Sequence, residues 1–148
     1  MKKKKKENLI LFDFDGVIAD TKYEILKNAK IASNKLGYQC NPTLNILSNL
    51  KRMEFDELGI QIGIEKRDVL RFVEIVLELF SQSNVIPEIF NGIGEILKEI
   101  NSNNYICIIT GNSFNIVKKF LEKYELVDCV HAIYDKSHPG SKADKVIK

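Results

Sequence analysis

The chain has 148 residues, 45% hydrophobic and 28% charged, which is enough for one core with a small inserted subdomain. The formal charge is +2, but the lysines at positions 2–6 supply five of the 22 basic side chains against 20 acidic ones, so the body is mildly acidic and argues against a nucleic-acid surface. No stretch approaches the ~20 apolar residues of a membrane span, and the lysine run is read as a solvated arm because Asp13 and Asp15 interrupt the apolar stretch behind it.

Leu9, Ile10, Leu11 and Phe12 predict a short buried strand that ends at Asp13 and Asp15. After Asp20 the period changes. Tyr23, Ile25, Leu26, Ala29, Ala32 and Leu36 recur at helical spacing, Gly37 is the stop, and Asp20 and Thr21 are placed to cap. A second helix is expected from Pro42, and a turn over residues 59–63. A long helix follows over residues 65–80, with Val69, Phe72, Val73, Val76 and Phe80 on one face. Residues 21–85 therefore read as all helical.

From Val85 onward the rhythm alternates. Helix 92–103 carries Ile93, Ile96, Leu97 and Ile100, and strand 105–110 follows. Helix 114–124 carries Ile116, Val117, Phe120 and Leu121, and strand 129–134 comes last. Such alternation builds βαβ units and a parallel sheet. The helical block is most economically an insertion after the first strand. Cys40, Cys107 and Cys129 lack metal-like spacing; Cys107 and Cys129 fall in strand-like runs, as core thiols of a reducing, cytoplasmic compartment.

Ligands of open parallel sheets bind at the carboxyl ends of the strands. Asp13 and Asp15 end the first strand, where two acids so close repel unless a cation or a reacting substrate uses them. Thr110, followed by Gly111, Asn112 and Ser113, ends the second just before a helix, offering a hydroxyl and free N–H groups to an anion. Lys142 follows the third strand in a glycine-serine turn. A carboxylate nucleophile, a second acid, an anion cradle and a positive charge suggest phosphoryl transfer, whose difficulty is the repulsion between carboxylate and phosphate. Asp13 would attack phosphorus, and Asp15 would protonate the leaving oxygen and then activate water. Lys51 and Arg52 are candidates for contact with a substrate's anionic tail.

These residues resemble the haloacid dehalogenase superfamily, in its phosphatase and phosphomutase branch. The first motif of that family, a hydrophobic strand plus DxDG, is matched by Asp13, Asp15 and Gly16. The second, a strand ending in Thr or Ser, is matched by Thr110, and the third, a Lys, best by Lys142, with Lys136 and Lys145 nearby. The resemblance implies a Rossmann-like parallel-sheet α/β core over residues 1–20 and 86–148, truncated at its C-terminal side, with an α-helical cap over residues 21–85. It further implies Mg²⁺ held through Asp13 and the backbone carbonyl of Asp15 and a small phosphorylated metabolite as substrate. Dehalogenases lack the second Asp, and transport ATPases carry Lys-Thr where this chain has Phe14-Asp15. β-Phosphoglucomutase has a hinge histidine where Ile25 stands. The comparison favours a phosphatase over a sugar phosphomutase or a non-catalytic scaffold.

The family's fourth motif, an acidic pair supplying a further Mg²⁺ carboxylate, is not found before Lys148. Asp144 is unsuited as a substitute and Asp135 is a weak one. A chain cut short is favoured over a degenerate or partner-completed one. Without a fourth strand, the first strand keeps an open apolar edge, so dimerisation or other association through that edge is expected.

Overall fold

The computed structural model describes residues 5, 6, 8–135 and 137–140. The chain divides into two compact units, one built from the residues up to Asp20 together with those from Val85 onward, the other from Thr21–Asn84.

The first unit is an α/β structure. Its sheet comprises β1 (Asn8–Asp13), β4 (Asn104–Ile109) and β5 (Ala132–Tyr134), parallel and in the order β1-β4-β5. Leu9 pairs with Tyr105, Leu11 with Cys107 and Asp13 with Ile109. Two helices, α5 (Ile93–Ile100) and α6 (Phe114–Lys123), cross between these strands. Leu97 of α5 and Val117, Phe120 and Leu121 of α6 form one core with Ile106 and Ile108 of β4. β4 is buried on both faces from Ile106 to Ile109, as the central strand of the sheet, and only Tyr105 near its start stays 49% exposed. Leu9 and Leu11 of β1 also remain exposed, at 59% and 36%, and among the described residues β1 pairs on one side only.

A second, two-stranded sheet was not foreseen. The strands β2 (Ala19–Asp20) and β3 (Glu88–Ile89) are antiparallel, with Ala19 opposite Ile89 and Asp20 opposite Glu88. Strand 129–134 is shorter than expected. Residues 127–129 form a 3₁₀ turn in which the Cys129 N–H donates to the Leu126 carbonyl at 3.0 Å. That turn follows Glu125, which ends α6 with a left-handed φ of 55°, and the buried Leu126 anchors it. Cys129 is therefore a core residue of a turn, not of a strand, and burial pushes its thiol and that of Cys107 up from the ordinary range.

The second unit is helical. Its elements are α1 (Lys22–Lys35), α2 (Leu44–Ser48), α3 (Phe55–Gln61) and α4 (Val69–Gln82), the last entered through a 3₁₀ turn at Lys66–Asp68. Ile25, Ala29 and Ala32 of α1 and Phe72, Val76 and Phe80 of α4 lie in its core with Leu58 of α3. The helix expected at Pro42 begins at Leu44, because Thr43 takes the extended cap geometry and its Oγ1 accepts from the Ile46 N–H at 3.3 Å. The cap expected of the Thr21 side chain does not form. Asp20 is held in β2, and Thr21 has ψ near 1°, off the extended backbone that aims a cap side chain. Among the described residues no helix is long and apolar enough to cross a membrane.

Glycines in the two units make a test of packing. A Cβ on Gly59 would stand 2.9 Å from Cδ1 and 3.2 Å from Cε1 of the fully buried Phe72 ring. Gly59→Ala is expected to lower stability by about 1–3 kcal/mol through overpacking. Gly94→Ala on α5 meets only Ile89 Cδ1, at 3.7 Å, and is expected to gain up to about 1 kcal/mol from helix propensity. Thermal or urea unfolding of the two variants measures both.

Candidate active site

The register of β1 against β4 builds the site. Asp13 lies opposite Ile109, so the residues just beyond the two strand ends, Asp15 and Thr110, are brought side by side. Phe14, between the two acids, is fully buried and meets Phe120 edge-on at 5.0 Å. Burying that ring leaves Asp13 and Asp15 on the less buried side of the loop. The loop then closes on itself. The N–H groups of Val17, Ile18 and Ala19 donate to the Phe14 carbonyl at 3.4, 3.0 and 3.0 Å, and the Gly16 N–H to the Ala19 carbonyl at 2.9 Å. Gly16 has φ of 76°, the left-handed conformation that a side chain would strain, which is the physical need behind the glycine of the DxDG run.

Asp13 Oδ1 accepts from the Phe14 N–H at 2.8 Å. Asp15 Oδ2 lies 3.5 Å from Thr110 Oγ1 and Oδ1 lies 3.4 Å from Asn112 Nδ2, loose approaches rather than tight bonds. Thr110 is fully buried, and its Oγ1 accepts from the Asn112 N–H at 3.0 Å. The structure thus brings Asp15, Thr110 and Asn112 together at the ends of β1 and β4, with Asp15 two residues beyond Asp13, the last residue of β1. Lys142, the expected positive charge, and the alternatives Lys136 and Lys145 lie outside the described residues, as does Asp144.

The N–H groups before α6 are mostly spoken for, which narrows the expected anion cradle. Asn112 donates to Thr110 Oγ1, Ser113 to Asn112 Oδ1 at 2.8 Å, and Phe114 to Asp135 Oδ2 at 2.9 Å. Within the first turn, Ile116 donates to Ser113 Oγ at 3.4 Å. Of residues 111–114, only Gly111 has an N–H without an acceptor among the described residues. It directly follows the Thr110 hydroxyl, so hydroxyl and N–H form a small anion-binding pair. Lys51 and Arg52 sit in an exposed bend of the helical unit, not on a helix. Their N–H groups donate to the two oxygens of Glu57, and the Arg52 guanidinium pairs with Glu54 at 3.6 Å.

Residues 10–147 match the model of the haloacid dehalogenase-like hydrolase family. The chain belongs to that family. Among curated proteins no sequence matches it. A haloacid dehalogenase-like hydrolase from Streptococcus pneumoniae superposes with a TM-score of 0.74 at 18% identity, covering 99% of this chain and 69% of that one. A candidate phosphatase from Clostridium difficile gives 0.70 at 21%, covering 98% and 68%. A candidate phosphoglycolate phosphatase from Lactobacillus plantarum gives 0.72 at 14%, covering 97% and 73%. At such identities the likeness establishes the haloacid dehalogenase fold.

The donor set suits the ion that the family implies. Asp13 and Asp15 offer oxygen donors only, and Mg²⁺ is commonly bound by one or two carboxylates with water and substrate phosphate filling the rest. Among the described residues no group of three or more His, Cys, Asp or Glu side chains could hold a metal by itself. Asp135, the weak alternative ligand, has both oxygens engaged in hydrogen bonds. Its Oδ2 is taken by Phe114, and its Oδ1 accepts from the Ser137 N–H at 3.1 Å, Ser137 Oγ at 2.6 Å and His138 Nδ1 at 3.1 Å. Sequence reasoning cast this residue as a spare ligand and missed its bond to α6, for which the only signal was an acid ending the strand beside that helix.

Burial pushes the Asp135 carboxyl up, but the Ser137 hydroxyl, the Phe114 and Ser137 N–H groups and His138 outweigh it, leaving the pKa at about 2 against the usual 3.8. A depressed carboxyl stabilises the fold above its unfolded pKa and loses that contribution as pH falls through the folded value. The Tm difference between wild type and Asp135→Asn is therefore expected to be constant near neutrality and to shrink below about pH 4, as a series of thermal melts would show.

Proposed function

We propose that this chain is a Mg²⁺-dependent phosphatase of small phosphorylated metabolites that works through an aspartyl-phosphate. Asp13 attacks phosphorus with a carboxylate oxygen, forming the acyl phosphate as the ester P–O bond breaks. Asp15 gives its proton to the leaving oxygen, then takes one from the water that attacks the same phosphorus and returns Asp13 to a carboxylate. The Thr110 hydroxyl and the Gly111 N–H hold a nonbridging oxygen, and Lys142 balances the charge. A bound Mg²⁺, held by Asp13 and Asp15, would offset the repulsion between the carboxylate and the phosphate. The helical unit serves as a cap that excludes water and selects the substrate, with Lys51 and Arg52 toward its anionic tail.

The observation that carries this reading is the meeting of Asp15 with Thr110 and Asn112 at one end of the parallel sheet. A proton donor there stands beside an anion-binding pair. Leaving groups that need no proton have no use for it, which favours ester hydrolysis within the family. A cytoplasmic setting fits the free thiols Cys40, Cys107 and Cys129. Among the described residues β1 pairs on one side only and keeps Leu9 and Leu11 exposed, which supports self-association.

Hydrolysis of p-nitrophenyl phosphate with Mg²⁺ tests the chemistry. Asp13→Asn is expected to lower kcat by on the order of 10⁴-fold or more, and Asp15→Asn by about 10²–10⁴-fold. Activity that survives Asp13→Asn would sink the proposal. Interconversion of sugar phosphates without release of phosphate would point to a mutase instead. Light scattering tests self-association, which Leu9→Lys is expected to weaken.

A further inference from the structure

We propose that Asp135 is a positioning residue that fixes the anion-binding loop of residues 110–114 against the sheet. This rests on the phosphoryl-binding role given above to Thr110 and Gly111. Three of the bonds that shape the loop are local: Asn112 N–H to Thr110 Oγ1, Ser113 N–H to Asn112 Oδ1 and Ile116 N–H to Ser113 Oγ. Local bonds give a loop its shape but do not place it in the molecule. Beside the loose approaches of Thr110 and Asn112 to Asp15, the loop has a much tighter side-chain bond from elsewhere in the chain, from Phe114 N–H to Asp135 Oδ2 at 2.9 Å and across 21 residues. It works beside the backbone bond from the Thr110 N–H to the Tyr134 carbonyl, also at 2.9 Å. Together these fasten both ends of the loop to the carboxyl end of β5.

The Asp135 carboxylate is suited to this task. It is only 6% exposed, and a charge so buried persists only where several donors satisfy it. Ser137 donates twice to Oδ1 and His138 Nδ1 lies against the same oxygen. That oxygen is thereby held, and the other is aimed at the positive end of α6. Charge-assisted bonds of this kind are shorter and about twice as strong as neutral ones. The bonds described for the Asp135 side chain go to Phe114, Ser137 and His138, not to the groups that carry the chemistry. Its effect passes through Phe114 to the loop, and so to the direction of the Gly111 N–H.

Charge and position predict opposite outcomes here, which makes the idea testable. A negative charge near an anion site weakens anion binding, so if Asp135 acted by charge alone, Asp135→Asn would tighten phosphate. If it acts by holding the loop, the same change weakens phosphate, because the amide turns a donor or a weaker acceptor toward the Phe114 N–H. The experiment measures inhibition by inorganic phosphate, KM and kcat for p-nitrophenyl phosphate, and ¹H–¹⁵N amide spectra, in wild type, Asp135→Asn and Ser137→Ala. With one charge-assisted bond lost, the phosphate inhibition constant and KM are expected to rise about tenfold in Asp135→Asn, with kcat moved far less. Ser137→Ala is expected to show a smaller rise in the same direction, and the amides of residues 110–114 to shift and exchange faster in both. Tighter phosphate, or unchanged constants with only a lower Tm, overturns the proposal. Should the wild type neither turn over substrate nor bind phosphate, the phosphatase reading fails by itself. The amide spectra then still decide the clasp, and unchanged signals from residues 110–114 in Asp135→Asn overturn it.

Discussion

The parallel register between β1 and β4 is the constraint on which the site depends. Asp13 is paired with Ile109, and each strand then leaves the sheet carrying its polar residues: Asp15 from one, Thr110 and Asn112 from the other. A slip by one residue would turn every side chain of β1 to the other face. Phe12 of β1 and Ile106 and Ile108 of β4 oppose it, because all three pack in the core formed with α5 and α6. The apolar pattern on one face thus places the polar chemistry at the end of the strands.

Phe14 extends that control past the last paired residue. A strand end that simply stopped would leave Asp15 free to swing, whereas a ring buried against Phe120 pins the loop between the two acids. The turn after it is closed by three N–H groups sharing the Phe14 carbonyl and is permitted by the left-handed Gly16. Core packing and loop geometry therefore act on the same stretch of chain, and both bear on where the two acids stand.

Much of this was legible in the chain, because period two and period 3.6 are local signals. β1, β4, α1, α4 and α6 fall where spacing puts them, and the DxDG run and Thr110 mark the strand ends that meet. What spacing does not reveal are pairings settled by distant parts. Ala19 and Asp20 form a strand only because Glu88 and Ile89 come back beside them. Cys129 looks like strand by composition, yet Leu126 anchors a turn there. Asp135 is the clearest case: an isolated acid at a strand end reads as a ligand, and only the neighbouring helix shows that its oxygens are already in use.

The β2–β3 ribbon has a consequence for how such a molecule can be rebuilt. The chain leaves the α/β unit and re-enters it through two segments that are hydrogen-bonded to each other, Ala19 facing Ile89 and Asp20 facing Glu88. The ends of the intervening helical block are thus held a strand's width apart. Closing a chain over so short a gap costs entropy that grows only slowly with the length enclosed. The ribbon is therefore a natural splice point, where the helices could be exchanged for a short hairpin or a foreign bundle while the strands that carry the acids stay in register.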